Sequence, residues 1–380
     1  MRFYEISNRL NFDYKLSHYL NPVQIIKTDH WFEQLEQGLN NLGIRYPIII
    51  TTNGNRNRLQ LEQKFSSNFI FSNFGNNPNF SDCNNGIKFC ENKSIDGVIA
   101  IGGGSAMDLA KVILAYLSSN ETKIKKLINT KLEFPNKIPS IFLPTTHGTA
   151  SEVTMWGTIW NIKEKKKYSI SHPELYPDIA ILDGNLTLTL PLDISIITVM
   201  DALSHSFEAI WNKNANKNST KFAIISICSI ISNIEKFKNQ PSNLKLRNKL
   251  LEASTIAGLA FSNTKTAAAH SISYPLTIRY NIPHGVASSL SLLPLLKING
   301  SFIKNELNNI CKNLGLSYEE LNACIANIPK HIIPFKLNLW GVKKNHINKL
   351  AEESFTKGRM DNNIVDLNIN DVRDILYSIY

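Results

Sequence analysis

The chain has 380 residues, of which 43% are hydrophobic, with a formal net charge of +10 and five cysteines. This length allows two domains or one large α/β unit with a sizeable core. Apolar runs are shorter than a membrane span, residues 1–10 lack the apolar core of an export signal, and no CxxC pair occurs. We therefore expect a soluble cytoplasmic protein with reduced thiols, no membrane contact and no zinc–thiolate site. The basic residues are dispersed rather than gathered in one stripe, which argues against nucleic-acid binding and suits anionic cofactors or substrates.

Short β-branched runs alternate with helical stretches through the first half of the chain. Strands are predicted at residues 48–50, 98–101, 140–143 and 179–182. Strands that are separated by helical segments favour a parallel sheet with helices on both faces. The first domain, residues 1–187, is therefore predicted to be a Rossmann-like α/β domain.

The pattern changes after residue 191, where apolar residues recur at helical spacing, as in 222–231 and 250–261. Few strand signals follow, and the Asn-rich stretch 212–218 reads as a loop between helices. We predict an all-α second domain over residues 188–380, with the boundary near residues 186–191.

Three consecutive glycines end the strand at 98–101. They begin the segment GGGSAMDLAK at 102–111, in which a helix follows the turn. Glycines let the backbone approach a pyrophosphate, and the helix start offers free N–H groups. The pattern is not GxGxxG. The alternative is a plain β–α turn with Ser105 as the helix cap.

A second polar turn follows the strand at 140–143. The segment PTTHGTASE at 144–152 is rich in hydroxyl groups that suit ribose and phosphate oxygens. Two such turns at the carboxyl ends of strands match the place where open α/β sheets bind ligands. The sequence therefore predicts a dinucleotide site in the first domain.

One carboxylate and three histidines in the second half suggest a metal site. Asp201 and His205 are one helical turn apart, His270 lies among small apolar residues, and His284 follows at a turn. Such a ligand set suits a divalent metal such as Fe²⁺ or Zn²⁺. The alternative for each histidine is a buried residue without a metal.

Together these segments resemble the iron-containing, or group III, alcohol dehydrogenases. The resemblance rests on GGGSAMDLAK, PTTHGTASE, DALSHSFEA at 201–209 and the His270/His284 pair, and covers roughly residues 40–300. It implies a dinucleotide-binding α/β domain followed by a helical metal domain, the dehydroquinate synthase-like arrangement. It also implies hydride transfer between NAD(P)H and a small aldehyde or alcohol, and we expect a homodimer.

The resemblance assigns roles position by position. The residues expected at the cofactor phosphates are Gly103, Gly104, Ser105 and Asp108. Those expected on the nicotinamide side are Thr145, Thr146 and Thr149, with Lys167 also reaching the cofactor. The implied metal ligands are Asp201, His205, His270 and His284.

Three further segments resemble one subfamily, the phosphonoacetaldehyde reductases. They are residues 152–161, 203–212 and 267–277. This resemblance implies reduction of phosphonoacetaldehyde to 2-hydroxyethylphosphonate. The alternatives are a general or lactaldehyde-type alcohol dehydrogenase, a sugar-acid or polyol oxidoreductase of the same family, and a non-catalytic nucleotide-binding protein.

The chemistry also needs a proton donor and cations for a phosphonate. Tyr274 stands where many family members carry a second histidine, and it is the candidate proton donor, with a structural tyrosine as the alternative. Lys265, Arg279 and His147 are the candidate substrate contacts, and the alternative for the two cations is a surface position.

The turn after the strand at 48–50 bears on cofactor choice. Residues 51–58 contain no acidic residue to bind the ribose 2′-hydroxyl of NAD, and they include Arg56 and Arg58. We therefore expect NADPH to be favoured, with NADH still usable.

Overall fold

The computed structural model describes residues 21–128, 132–164 and 166–380. They divide into two units. The first comprises the described residues up to Thr146 together with Ala150–Thr187, and the second comprises His147–Thr149 and Leu188–Tyr380.

A six-stranded parallel sheet forms the centre of the first unit, with strand order β1-β8-β5-β4-β2-β3. A separate antiparallel pair, β6 and β7, lies in the same unit. The strands are β1 Gln24–Lys27, β2 Pro47–Thr51, β3 Ile70–Phe71, β4 Gly97–Gly102, β5 Ser140–Pro144, β6 Trp156–Asn161, β7 Lys166–Ser171 and β8 Ile179–Leu182.

The central strands β2, β4, β5 and β8 are buried along their whole length, which explains why their sequences are mostly apolar rather than alternating. The helices of this unit are α1 Trp31–Leu42, α2 Asn53–Arg58, α3 Phe80–Cys90, α4 Gly104–Ser118 and α5 Ile124–Leu127. Two separate apolar clusters include residues from the sheet. The four predicted strands and the predicted fold class are confirmed.

Several strands were not predicted. The edge strands β1 and β3 are only four and two residues long. The β6–β7 pair includes the basic run at 163–167. Its described residues are a turn at 162–164 and the start of β7.

Strand register brings the two polar turns together. In the β4–β5 pair, Gly102 is the partner of Pro144. The glycine turn and the hydroxyl-rich turn therefore begin side by side at the carboxyl edge of the sheet.

The second unit is helical. Its first three helices have 19, 23 and 21 residues and are followed by shorter ones. The Asn-rich stretch leads into the second of them, where Asn216 is the N-cap and forms a capping box with Ser219. The helices are α6 Leu192–Ile210, α7 Lys217–Asn239, α8 Leu244–Thr264, α9 Ala268–Tyr280, α10 His284–Leu290, α11 Leu292–Asn299, α12 Lys304–Leu314, α13 Tyr318–Asn327, α14 Ile347–Glu353 and α15 Ile369–Ser378.

Within the described residues, no single helix has the length and apolar content needed to cross a bilayer. One helix pair, His284–Asn299 with Lys304–Leu314, meets the test only when its two members are taken together, and it is bent by 116°.

Candidate functional site

One buried face of α6 carries three polar side chains. Asp201, His205 and Glu208 are at most 5% exposed. Spacings of four and seven residues, at about 100° per residue, place all three on one side of the helix. Polar groups this deeply buried need partners, and these partners come from α9 and α10.

Asp201 meets two histidines from those helices. His270 Nε2 lies 3.6 Å from Asp201 Oδ1, and His284 Nε2 lies 3.9 Å from the same oxygen. One ligand atom from each of the three residues lies within 4.8 Å of the others. The structure thus brings together three of the four predicted metal ligands.

His205, the fourth predicted ligand, lies beside this group. Its ring stacks on that of His270, with centroids 4.5 Å apart and planes 20° apart, and on its other neighbour Phe261 at 4.0 Å. The described residues thus place His205 in contact with the group of three, through its ring face.

The donor set fits a divalent metal. His205 Nδ1 and His270 Nε2 are buried and have no hydrogen-bond partner within the described part of the chain. Buried nitrogens without partners are uncommon in proteins. A carboxylate with imidazole nitrogens is a ligand set that iron and zinc accept, and a metal ion would give these nitrogens their partner.

Glu208 holds His270 from the opposite side. Its Oε2 contacts His270 Nδ1, and its Oε1 accepts the backbone N–H of His270 at 3.1 Å. Glu208 is fully buried. A carboxylate on Nδ1 fixes the ring and directs Nε2 toward the other ligands.

The charges of the cluster are strongly coupled. Burial raises the pKa of Asp201, but the imidazoles of His205, His284 and His270 outweigh burial and hold it below its usual range. Burial alone would lower the pKa of His270, and the carboxylates of Glu208 and Asp201 raise it to about 10. Burial lowers the pKa of His205 to about 4. The cluster therefore keeps an ionised carboxylate available for a cation.

Gly285 lets the His284 helix approach α6 closely. A Cβ at Gly285 would lie 2.2 Å from the carbonyl oxygen of Ile197, one turn before Asp201. Asp201 itself accepts a hydrogen bond from Ser288 Oγ at 2.7 Å. Both contacts fix the register of α10 against α6.

The glycine turn is also closely packed. A Cβ at Gly103 would lie 2.8 Å from Thr146 Cγ2, so the two turns touch where Gly103 lacks a side chain. Gly103 is the N-cap of α4, and no side chain caps the helix. Ser105 is not the cap that the plain-turn alternative required, because its Oγ accepts the N–H of Asn77 at 3.1 Å. The N-terminus of α4, beginning at Gly104, therefore keeps the open N–H groups that phosphates bind.

A fully buried lysine on α4 forms hydrogen bonds with the end of the hydroxyl-rich turn. Lys111 Nζ donates to the Ser151 carbonyl at 2.8 Å and to Ser151 Oγ at 2.8 Å, and also to Thr154 Oγ1 and the Trp156 carbonyl. Asp108 Oδ1 accepts from Ser151 Oγ at 3.1 Å. Burial lowers the pKa of Lys111 to about 7, against the opposing effect of Asp108 and Glu152.

The remaining predicted cofactor residues have the following positions. Thr145 is buried, and its Oγ1 accepts from Asn55 Nδ2 at 3.4 Å, while Thr149 is half-buried. Lys167 lies near Asp108. Burial raises the pKa of Asp108, and the charges of Lys111 and Lys167 act in the opposite direction.

Tyr274 lies on α9 one turn after His270. Four residues correspond to a rotation of about 40° beyond a full turn, so both project from the same side of the helix. Tyr274 Oη accepts a hydrogen bond from Arg359 Nε at 3.3 Å. Both residues are half-buried.

The three predicted substrate contacts have different surroundings. Arg279 is exposed and pairs with both carboxylate oxygens of Glu353, and nine residues from His270 place it on the opposite side of α9. Lys265 is exposed at the end of α8. His147 is fully buried with its ring 5.8 Å from that of Phe237, and burial and the charge of Arg247 lower its pKa to about 3. Within the described residues, none of these three side chains contacts Asp201 or His205, although the His147 backbone N–H donates to Thr198 Oγ1 on α6 at 3.2 Å.

The two arginines predicted to select NADPH are engaged within the protein. Arg58 donates to the Leu186 carbonyl at 2.5 Å and to Asn55 Oδ1 at 3.0 Å. Arg56 pairs with Glu62 and donates to Ser72 Oγ at 3.2 Å. Both partners of Arg56 are side chains, whereas one of the two partners of Arg58 is a backbone carbonyl.

Sequence reasoning missed Glu208, Lys111 and Arg359. The first was detectable, because its seven-residue spacing from Asp201 places it on the ligand face. Lys111 was part of the quoted glycine motif, but burial gives it its role. Arg359 is far from α9 in sequence, and no local pattern indicated its contact with Tyr274.

Two family models match the chain. The model described as iron-containing alcohol dehydrogenase matches residues 22–184, and the C-terminal model of the Fe-containing alcohol dehydrogenase family matches residues 195–380.

Similar proteins include two alcohol dehydrogenases and one aldehyde reductase. A probable alcohol dehydrogenase, EutG, from Escherichia coli is 32% identical over 58% of this chain and 55% of its own length. The chain thus spans about half the length of that relative. An NADPH-dependent butanol dehydrogenase from Clostridium saccharobutylicum is 29% identical over 75% of this chain and 76% of its own. The crystal structure of a sulfoacetaldehyde reductase from Bifidobacterium kashiwanohense in complex with NAD⁺ gives a TM-score of 0.86 at 27% identity, covering 96% of this chain and 98% of that one.

Proposed function

The chain belongs to the iron-containing alcohol dehydrogenase family, and we propose that it reduces phosphonoacetaldehyde to 2-hydroxyethylphosphonate with a reduced nicotinamide dinucleotide. The convergence of Asp201, His270 and His284 carries this proposal, since three ligand atoms lie within 4.8 Å in a buried setting. A non-catalytic nucleotide-binding protein has no need for such a cluster. The membership of the family makes hydride transfer the activity that the cluster serves.

The side chains of Asp201, His205, His270 and His284 would hold one divalent metal, Fe²⁺ or Zn²⁺. When bound, such an ion acts as a Lewis acid that polarises the aldehyde oxygen. Glu208 keeps His270 in the tautomer that presents Nε2. Ser288 holds the Asp201 carboxylate in place.

The glycine turn and the hydroxyl-rich turn would bind the dinucleotide. The uncapped N-terminus of α4 offers N–H groups to the pyrophosphate. Lys111 Nζ donates to the carbonyl and to the hydroxyl of Ser151, which holds the end of the hydroxyl-rich turn in place. NAD⁺ in the Bifidobacterium kashiwanohense structure supports a nicotinamide cofactor for this chain.

Reduction of an aldehyde also requires a proton at the nascent alkoxide. Tyr274 is our candidate donor, because it lies on the His270 side of α9. Arg359 Nε donates to Tyr274 Oη, so the hydroxyl proton itself points away from the guanidinium.

The anionic substrate is supported by two separate likenesses. Three segments resemble phosphonoacetaldehyde reductases, and one structural relative is a sulfoacetaldehyde reductase. Sulfoacetaldehyde and phosphonoacetaldehyde share a two-carbon aldehyde with a tetrahedral oxoanion. The likeness to a butanol dehydrogenase favours the second candidate, a general alcohol dehydrogenase acting on uncharged aldehydes.

An aldehyde panel distinguishes these functions. The metal-loaded protein should oxidise NADPH with phosphonoacetaldehyde at a higher kcat/KM than with propanal, butanal or lactaldehyde. A higher kcat/KM with the uncharged aldehydes would establish the general alcohol dehydrogenase instead. No turnover of any aldehyde, with metal bound at one equivalent, would contradict the enzymatic proposal.

A further inference from the structure

The segment after α14 is fastened to the helix that carries His270. Ser271 Oγ donates to the Ser354 carbonyl and accepts the Thr356 N–H at 3.0 Å. Asn362 Nδ2 donates to the Thr266 carbonyl at 2.9 Å, just before α9. These contacts hold residues 354–362 against the first turns of α9.

The far end of the segment is fastened to α6 and the loop after it. Ile364 N–H donates to the Trp211 carbonyl at 2.9 Å, and Lys213 N–H donates to the Asn362 carbonyl at 2.8 Å. A segment held on both helices presents its side chains in fixed positions. Arg359 is the cation in this segment that reaches α9.

The guanidinium of Arg359 has donors to spare. Nε donates to Tyr274 Oη and Nη1 donates to the Gly358 carbonyl at 2.7 Å. An arginine has five N–H groups, so three remain. Within the described part of the chain, neither partner of Arg359 is a carboxylate.

Arg359 differs from the charged residues around it in its partners. Arg279 on the same helix is neutralised by Glu353. The nearby Asp361 accepts the Gly358 N–H at 2.6 Å and, among the described residues, forms no ion pair with Arg359. A half-buried guanidinium with no acidic partner among the described residues can bind an oxoanion through its planar N–H groups.

We propose that Arg359 binds the oxoanion head of the substrate and sets the preference for an anionic over an uncharged aldehyde. This inference rests on the proposed function and adds the residue that recognises the phosphonate. A planar guanidinium matches two oxygens of a tetrahedral phosphonate.

Arg359 fits this role better than the cations expected from the sequence. It contacts a residue on the His270 side of α9, whereas Arg279 lies on the opposite side and Lys265 is exposed. A doubly charged head bound away from water needs a fixed cation in direct contact.

The test compares a charged and an uncharged substrate in Arg359→Gln. The ratio of kcat/KM for phosphonoacetaldehyde to kcat/KM for propanal should fall about 30- to 150-fold, chiefly through a higher KM for phosphonoacetaldehyde. Inhibition of propanal reduction by methylphosphonate should weaken by a similar factor. Arg279→Gln is the matched control on α9, and it should leave both quantities within about twofold.

Each other outcome is decisive. An unchanged ratio with equal losses on both substrates would mean that Arg359 only positions Tyr274, and would overturn the inference. A wild-type enzyme that reduces propanal but not phosphonoacetaldehyde would overturn the proposed substrate itself. If Arg359→Gln does not fold, Arg359→Lys keeps the charge without the planar fork and should lower the ratio about tenfold, and an unchanged ratio there would refute the inference.

Discussion

Glu208 contacts His270 at two atoms, Nδ1 of the ring and the backbone N–H. The pair joins α6 to α9 inside the metal cluster. Because the carboxylate is fully buried, it interacts with His270 in place of water. The orientation of one metal ligand thus depends on a residue that is not itself a ligand in the predicted set.

Glu208→Gln should weaken metal binding about 10- to 100-fold, because the amide cannot orient the imidazole as a carboxylate does. The affinity is measured by competition with a chelator of known strength. Glu353→Gln, at an exposed carboxylate near the end of α14, is the control and should bind metal like the wild type. Unchanged affinity in Glu208→Gln would show that the contact is only structural.

His270→Ala should remove most of the bound divalent metal and most of the activity, because it deletes the ligand at the centre of the cluster. The α/β unit contains no part of this cluster and should keep its fold and bind NADPH. Elemental analysis and fluorescence titration measure the two effects, with His30→Ala as the exposed control. Stoichiometric metal and near-normal turnover in His270→Ala would contradict the metal assignment.

Lys111 gives a stability prediction that depends on pH. Its folded pKa of about 7 lies below the value of 10.5 for an ordinary lysine. Between these values the unfolded chain holds the proton more strongly, so this group makes the free energy of unfolding rise with pH. Lys111→Met should remove that rise and, by leaving buried oxygens without a donor, cost about 2 kcal/mol at neutral pH.

Urea denaturation from about pH 7 to about pH 10 measures this effect. Lys88→Met, at an exposed lysine on α3, is the control and should follow the wild-type pH profile. The same slope in Lys111→Met as in the wild type would mean that another group titrates.

Much of this molecule was predictable because its signals are local. The β-branched strands, the glycine turn after β4 and the four metal candidates all show in short segments of sequence. The edge strand β3 pairs only two residues, too few to create a pattern. The role inferred for Arg359 depends on its contact with Tyr274, which lies 85 residues away in the sequence, and local periodicity cannot predict such a contact.

The two cations expected from the sequence illustrate the same limit. Arg279 was a candidate substrate contact, and it lies on the same helix as His270. Its spacing of nine residues from His270, however, places it on the opposite side of α9, where it forms an ion pair with Glu353. The angular position of Arg279 around the helix therefore predicts its surroundings better than its closeness to His270 in sequence.

NADPH should give a higher kcat/KM than NADH, because the turn after β2 has no acidic side chain to repel a 2′-phosphate. Arg56 is the candidate contact, and it must exchange Glu62 for the phosphate. Arg56→Gln should therefore lower the NADPH/NADH ratio of kcat/KM about tenfold. Arg45→Gln, at an exposed arginine before β2, is the control, and a wild-type preference for NADH would refute the prediction.

Gly285→Ala tests whether the close contact of α10 with α6 sets the metal geometry. The added Cβ would lie 2.2 Å from the Ile197 carbonyl oxygen, so α10 must move, and His284 at its first position must move with it. Overpacking of this kind costs about 1–3 kcal/mol of folding free energy. We expect metal affinity to fall at least about tenfold, because the position of His284 relative to Asp201 changes. Thermal unfolding and chelator competition measure the two losses. Gly75→Ala is the matched control, since a Cβ there meets nothing within 4 Å. A variant that is less stable yet binds metal normally would show that the cluster tolerates a shift of α10, and that Gly285 serves packing alone.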